Sequence, residues 1–191
     1  MGRWEPNARG RLEKAALDLY GERGFEKTTV AEIAARAGVT ERTYFRHFAD
    51  KREVLFGGTS ELQDMLTNTV ADAPAAALPL EATAGALEAI GGVFLGNRDR
   101  ARRRQAVIQA NPELRERELI KMATFATALA ETLRNRGVPD PAATLTAEAG
   151  IAIFKVAFTR WLESPAGKEL PDYIHESLNE LKAVTAPPST G

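Results

Sequence analysis

GVTERTYFRHF, residues 38–48, is the stretch on which the fold turns. If Thr40 opens a helix, Tyr44 and Phe48 stand four apart and share its inner face. Glu41, Arg42, Thr43, Phe45, Arg46 and His47 are then left around the outside. Just upstream, TTVAEIAARAG (28–38) offers Thr28 or Thr29 as a cap and Val30, Ile33, Ala34 and Ala37 as an apolar face. Two helices that meet steeply need a small residue where they touch and a turn residue tolerant of positive φ. Ala34 and Gly38 supply both four residues apart, and Val39 can plug the corner. The spacing predicts a helix-turn-helix.

Outward from that unit the chain predicts helices nearly everywhere. Residues 7–23 place Leu12, Ala15, Ala16 and Leu19 at helical spacing, with Asn7 as cap and Gly24 as stop. Asp50 is read as the cap of a fourth helix running from Lys51 to about Val70. After an Ala/Pro-rich loop at 71–79, helices are expected near 80–97, 100–110, 112–136, 141–163 and 171–184. Asn111-Pro112 is a start signal, because proline fits the first helical position. No period-2 pattern of useful length and no internal repeat occur. The fold class is all-α, with about nine helices. A three-helix head at 1–52 (motif 28–51) is joined by a long fourth helix to a larger helical body at 53–184, and a disordered tail follows at 185–191.

Composition narrows the function. Hydrophobic residues make up 44% and charged residues 27%, ordinary globular values for 191 residues. There is no cysteine, so disulfides and thiolate chemistry are out. The polar N-terminus, MGRWEPNARGR, lacks a signal-peptide core, and no apolar run looks long enough for a bilayer. A cytoplasmic protein without membrane contact is expected. Net charge is −1, yet residues 1–52 hold 11 Lys/Arg against 8 Asp/Glu, so a polyanion would meet the front of the chain. Two distant histidines, His47 and His175, no metal-ligand cluster and no phosphate-cradling glycine loop leave an enzyme without machinery. No catalytic residue, metal or cofactor is expected.

A helix-turn-helix places its second helix in the major groove, N-terminal residues toward the base edges. Arg42 can fork onto guanine O6 and N7, and Thr43 can touch a thymine methyl or a base edge. Arg46 and His47 are better placed for the sugar–phosphate rail.

At TTVAEIAARAGVTERTYFRHFADKREVLF, residues 28–56, the chain resembles the TetR family of bacterial transcriptional regulators. The likeness covers roughly residues 8–56; beyond it only helix number and lengths agree. It implies that Thr28 and Thr29 bind phosphate through hydroxyls and backbone N–H groups, and that Lys51 holds a second phosphate. It also implies that Arg42, Thr43 and His47 face DNA. With Thr40 as cap and Phe45 and Arg46 alongside, these complete the expected DNA-binding set. Phe45 departs from the family, which commonly has a tyrosine there; the ring keeps its packing and loses a phosphate bond.

The family pairs through its last two helices, which implies a homodimer on a palindromic operator. The residues expected at that interface are Ile153, Val156, Trp161, Ile174, Leu178 and Leu181. The apolar residues Met65, Phe94, Ile108, Met122, Phe125, Leu129, Phe154 and Phe158 are expected to enclose an apolar or amphipathic effector. Five arginines in RDRARRR, 98–104, either meet an anionic ligand such as an acyl-CoA or pair with carboxylates nearby. The implied function is a repressor released by an effector. A ligand-independent, architectural DNA-binding dimer has the same composition.

Overall fold

The computed structural model describes residues 7–165 and 167–186. They form nine α-helices and no strand: α1 (Ala8–Arg23), α2 (Val30–Arg36), α3 (Glu41–His47), α4 (Thr59–Ala71), α5 (Pro79–Val93), α6 (Arg98–Ala110), α7 (Pro112–Asn135), α8 (Ala142–Glu163) and α9 (Leu170–Thr185). Asn7 caps α1 by accepting from the Gly10 N–H at 2.9 Å. α9 runs through Thr185, so the expected tail starts later than 185; its residues 187–191 lie outside the described part.

The fourth helix differs from the sequence expectation. Lys51 and Arg52 form a turn, Glu53–Phe56 form a 3₁₀ turn, and α4 starts only at Thr59 and runs for 13 residues. Val54, Leu55 and Phe56 are all buried. Successive side chains of a 3₁₀ turn point about 120° apart, so the three fill different parts of the head core. Gly58, at φ 83°, then breaks the path in a conformation that a Cβ disfavours.

The chain divides into two compact units. The first comprises the residues up to Thr59 together with Asp99–Leu119: α1 to α3, the 3₁₀ turn, α6 and the start of α7. Its core gathers Leu12, Leu19, Phe25, Ile33, Tyr44 and Phe48 with Ile108 and Leu114 from far along the chain. Residues 98–104 show why α6 belongs here. Arg100 pairs with Glu13 at 3.0 Å and Arg103 with Asp18 at 2.6 Å. Arg104 donates to the Leu55 carbonyl at 2.6 Å and lies over the Phe56 ring. The Arg103 guanidinium, with help from Lys14, holds the Asp18 carboxyl below its ordinary range. Arg102 pairs with Asp99.

The second unit holds Ser60–Arg98 and the chain from Ile120 onward, with α5, α8 and α9 packed on one another. Gly150 of α8 lets α5 approach: a Cβ there would stand 2.6 Å from Thr83 Cγ2. Two arginines close helix ends by donating to carbonyls at the end or in the chain that follows. Arg136 reaches Ala71, Ala73 and Pro74 after α4, while Arg98 reaches Ser164, Pro165 and Lys168 after α8 and lies over Trp161. By length and composition alone α8, at 22 residues, is apolar enough to cross a membrane, contrary to the sequence expectation. One of its apolar faces packs on α5 and α9.

Candidate nucleic-acid interface

The site is built from a tight corner. α2 ends in a Schellman arrangement: Val39 N–H bonds the Ala34 carbonyl at 3.0 Å and Gly38 N–H bonds Ala35 at 3.1 Å. Gly38 takes φ 67°, the left-handed turn that the Ala–Gly spacing predicts. Thr40 then caps α3, accepting from the Thr43 N–H at 3.2 Å, and its hydroxyl lies 3.1 Å from that of Thr43.

α3 is anchored by its inner face. Tyr44 and Phe48 are buried with ring centroids 5.5 Å apart. The Tyr44 hydroxyl donates to the Asp50 carbonyl at 2.9 Å, and burial pushes its phenol above the ordinary range, so it stays a donor. Asp50 in turn accepts from the Arg52 and Glu53 N–H groups at 2.7 and 3.1 Å, capping the 3₁₀ turn. The Tyr20 hydroxyl ties down the next residue through the Lys51 carbonyl at 2.5 Å. That clamp escaped sequence reasoning, because Tyr20 sits on the apolar stripe of α1 with its partner 31 residues away.

The outer face is chemically different. Arg42, Phe45, Arg46 and His47 are exposed, Phe45 at 54%. Among the described residues Arg42, Arg46 and His47 have no ion pair or hydrogen-bonding side-chain partner. Three other cations of the head are spent: Arg23 on Glu32, Arg36 on Glu22 and Arg52 on Asp50. Uncompensated cations therefore concentrate on α3, which a total charge of −1 conceals. Lys27, exposed and without an ion-pair partner among the described residues, adds a cation beside α2 that the motif does not mark.

Two expected phosphate ligands change character. Thr28 is buried, its hydroxyl donating to the Gly24 carbonyl at 2.9 Å, so it cannot present an oxygen to DNA. Thr29, one residue later, is the exposed cap of α2 in a capping box with Glu32. Lys51 is half-buried; its ammonium donates to the Phe25 and Glu26 carbonyls at 3.1 and 3.4 Å and lies 4.2 Å from the Phe25 ring centroid. Its first task is to tie the α1–α2 loop to the turn after α3.

The expected effector residues do not form one set. Ile108 is buried in the head core, not in the body. Phe125 and Leu129 are buried on α7, Met122 is half-buried beside them, and Met65 on α4 is exposed. Phe94, Phe154 and Phe158 are half-buried and meet around Trp161, with Phe154 stacked on Phe158 at 5.6 Å. The Trp161 indole N–H is buried there without a hydrogen-bond partner. Of the expected interface residues, Ile153, Trp161, Ile174 and Leu178 are buried inside a single chain and cannot meet a second copy, and Leu181 is half-buried. Val156 alone is open, at 49%, on a stripe with Leu145, Ala149 and Ala152. Periodicity marked two faces of α8 as apolar without showing which one the chain itself covers.

Two family models match: "Bacterial regulatory proteins, tetR family" over residues 12–56 and "MftR C-terminal domain" over residues 77–186. The chain is similar to the transcriptional regulator TcmR of Streptomyces glaucescens, 39% identical over 84 residues that span 44% of this chain and 37% of that one. It is 29% identical to the regulator MftR of Mycobacterium tuberculosis over 145 residues, 71% of this chain and 69% of that protein. Among solved structures, the Thermus thermophilus repressor FadR with lauroyl-CoA superposes at a TM-score of 0.55 and 21% identity, covering 96% and 99% of the two chains. SmeT with triclosan superposes at 0.65 and 18%, covering 95% and 93%. The two models together take in the head, with its corner and outward α3, and most of the body. This chain belongs to the TetR family of bacterial regulatory proteins.

Proposed function

We propose that the protein is a homodimeric repressor that grips a palindromic operator through α3 and is released by an apolar or amphipathic small molecule. Regulators of this family act as ligand-responsive, often dimeric repressors. The observation that carries the proposal is the two-sided α3: buried rings on the inside, and Arg42, Arg46 and His47 outside without partners. Phosphate and guanine are the partners that guanidinium groups in such a position satisfy best. Thr29 and Thr40, exposed at the starts of α2 and α3, and Lys27 beside them extend the anionic contact, with the third N–H of Lys51 in reserve.

A single seven-residue helix reads few bases, and a two-fold pair reads twice as many. The second copy is expected on the α8 stripe of exposed Leu145, Ala152 and Val156 with half-buried Ala149 between them. For the effector, the aromatic group of Phe94, Phe154 and Phe158 supports an apolar or amphipathic molecule. Triclosan in SmeT and lauroyl-CoA in the Thermus FadR are of that class. The arginines at 98–104 no longer support an anionic group on it, since each has a partner within the chain. Release follows if the effector prefers a state in which α4, starting after Gly57-Gly58, carries the head off its half-site. Operator DNA must then weaken effector binding by the same factor.

The test is substitution on the exposed face, read by titrating a selected operator and a scrambled duplex across salt. Arg42→Ala is expected to relax preference at one base pair at a cost of about 1–3 kcal/mol. Arg46→Ala should weaken both duplexes alike and reduce the salt slope by about one ion. Unaltered selectivity in Arg42→Ala would take Arg42 out of the reading set.

A further inference from the structure

The head's carboxylates are neutralised with one pointed exception on its three N-terminal helices. Glu13 meets Arg9 and Arg100, Asp18 meets Lys14 and Arg103, Glu22 meets Arg36, and Glu32 meets Arg23. Glu41, the first residue of α3, is exposed and has no such partner among the described residues. It therefore carries an uncompensated negative charge onto the face that presents Arg42 and Arg46. In a groove lined by phosphates such a carboxylate is repelled unless it finds a donor. Cytosine N4 and adenine N6 are the donors in the major groove, and adenine sets the N7 acceptor beside its amine, which repels a carboxylate, so cytosine suits Glu41 better.

Position supports that partner. The N-terminal residues of a recognition helix are the ones that reach base edges. Glu41 and Phe45 lie four apart on one ridge of α3, about 6 Å along its axis, and Arg42 and Arg46 form the neighbouring ridge. The Phe45 ring suits a thymine methyl, so the Glu41–Phe45 ridge faces features that pyrimidines alone display, the N4 amine and the 5-methyl. The guanidinium ridge suits guanine and phosphate. We propose that Glu41 is a specificity-determining residue, accepting a hydrogen bond from cytosine N4 in each half-site and repelling sites that lack it. This rests on the operator-binding function proposed above.

Selection of bound duplexes from a random pool tests it, with wild type, Glu41→Gln and Glu41→Ala run in parallel and folding checked by circular dichroism. The wild type is expected to enrich one cytosine per half-site. In Glu41→Ala that preference should fall about tenfold while binding to scrambled duplex rises, because a repulsive charge is gone. In Glu41→Gln the preferred base should move to adenine, whose N6 and N7 match an amide. An enriched wild-type site that both variants reproduce unchanged overturns the role of Glu41 and leaves the operator-binding function standing. A wild-type pool with no enriched element overturns both. If Glu41 served only to stabilise the first turn of α3, the variants would melt lower with the same base preference.

Discussion

Tyr44→Ala is expected to cost the head about 3–5 kcal/mol, most of the stability that a domain of this size possesses, and to abolish DNA binding with it. The ring is fully buried and touches Phe45 and Phe48 at centroid distances of 5.5 Å. It is also the main inward anchor of a helix only seven residues long, which has no stability of its own in water. Tyr44→Phe separates packing from hydrogen bonding. It keeps the ring and leaves the Asp50 carbonyl without its donor, at a cost of about 1–3 kcal/mol. Urea denaturation followed by far-UV circular dichroism ranks the three proteins. A Tyr44→Ala midpoint equal to wild type would mean that α3 is held by something other than its rings.

Val156→Glu should convert a dimer into a folded monomer. Leu145, Ala149, Ala152 and Val156 are spaced four, three and four apart, the seam along which two helices pack knobs into holes. A carboxylate in that seam must be desolvated against its own symmetry mate. Sedimentation should shift from twice 20.7 kDa to 20.7 kDa with little change in thermal unfolding. Operator affinity should fall about 10²–10⁴-fold, the advantage lost when two linked heads become independent. Ile153→Glu gives the contrast: it buries a charge inside one chain and should unfold the body instead. A Val156→Glu protein that remains dimeric would move the interface off this stripe.

The parts of the molecule visible in the sequence are those whose determinants are local. The corner at Ala34–Gly38–Val39 and the division of α3 into Tyr44 and Phe48 inside and Arg42 and Arg46 outside each depend on spacings of a few residues. What escaped depends on distant partners. Ile108 joins a core formed by residues 12–56, and Arg103 meets Asp18 across 85 positions, so nothing near either residue signals its place. α8 carries apolar residues on two faces, and periodicity cannot distinguish the face covered by α5 and α9 from the open one; that misplaced Ile153 and Trp161. Thr28 and Thr29 are alike as sequence, yet one residue of offset buries the first and exposes the second as the cap. Gly57-Gly58 stands inside a helical pattern, and the left-handed conformation of Gly58 that ends the path there has no signal in periodicity.

Central to all of this is α3 lying in the major groove as one of a symmetric pair. Dimethyl sulfate protection of guanine N7 on a selected duplex tests it most directly, since that atom lines the major groove floor. Two protected guanine clusters are expected, related by a two-fold axis and centred one helical turn apart, about 34–36 Å, or a multiple of it. In Arg42→Ala each cluster should lose the one guanine that Arg42 contacts. Bound DNA in which no guanine N7 is shielded, or in which shielding has no two-fold symmetry, would contradict that placement of α3.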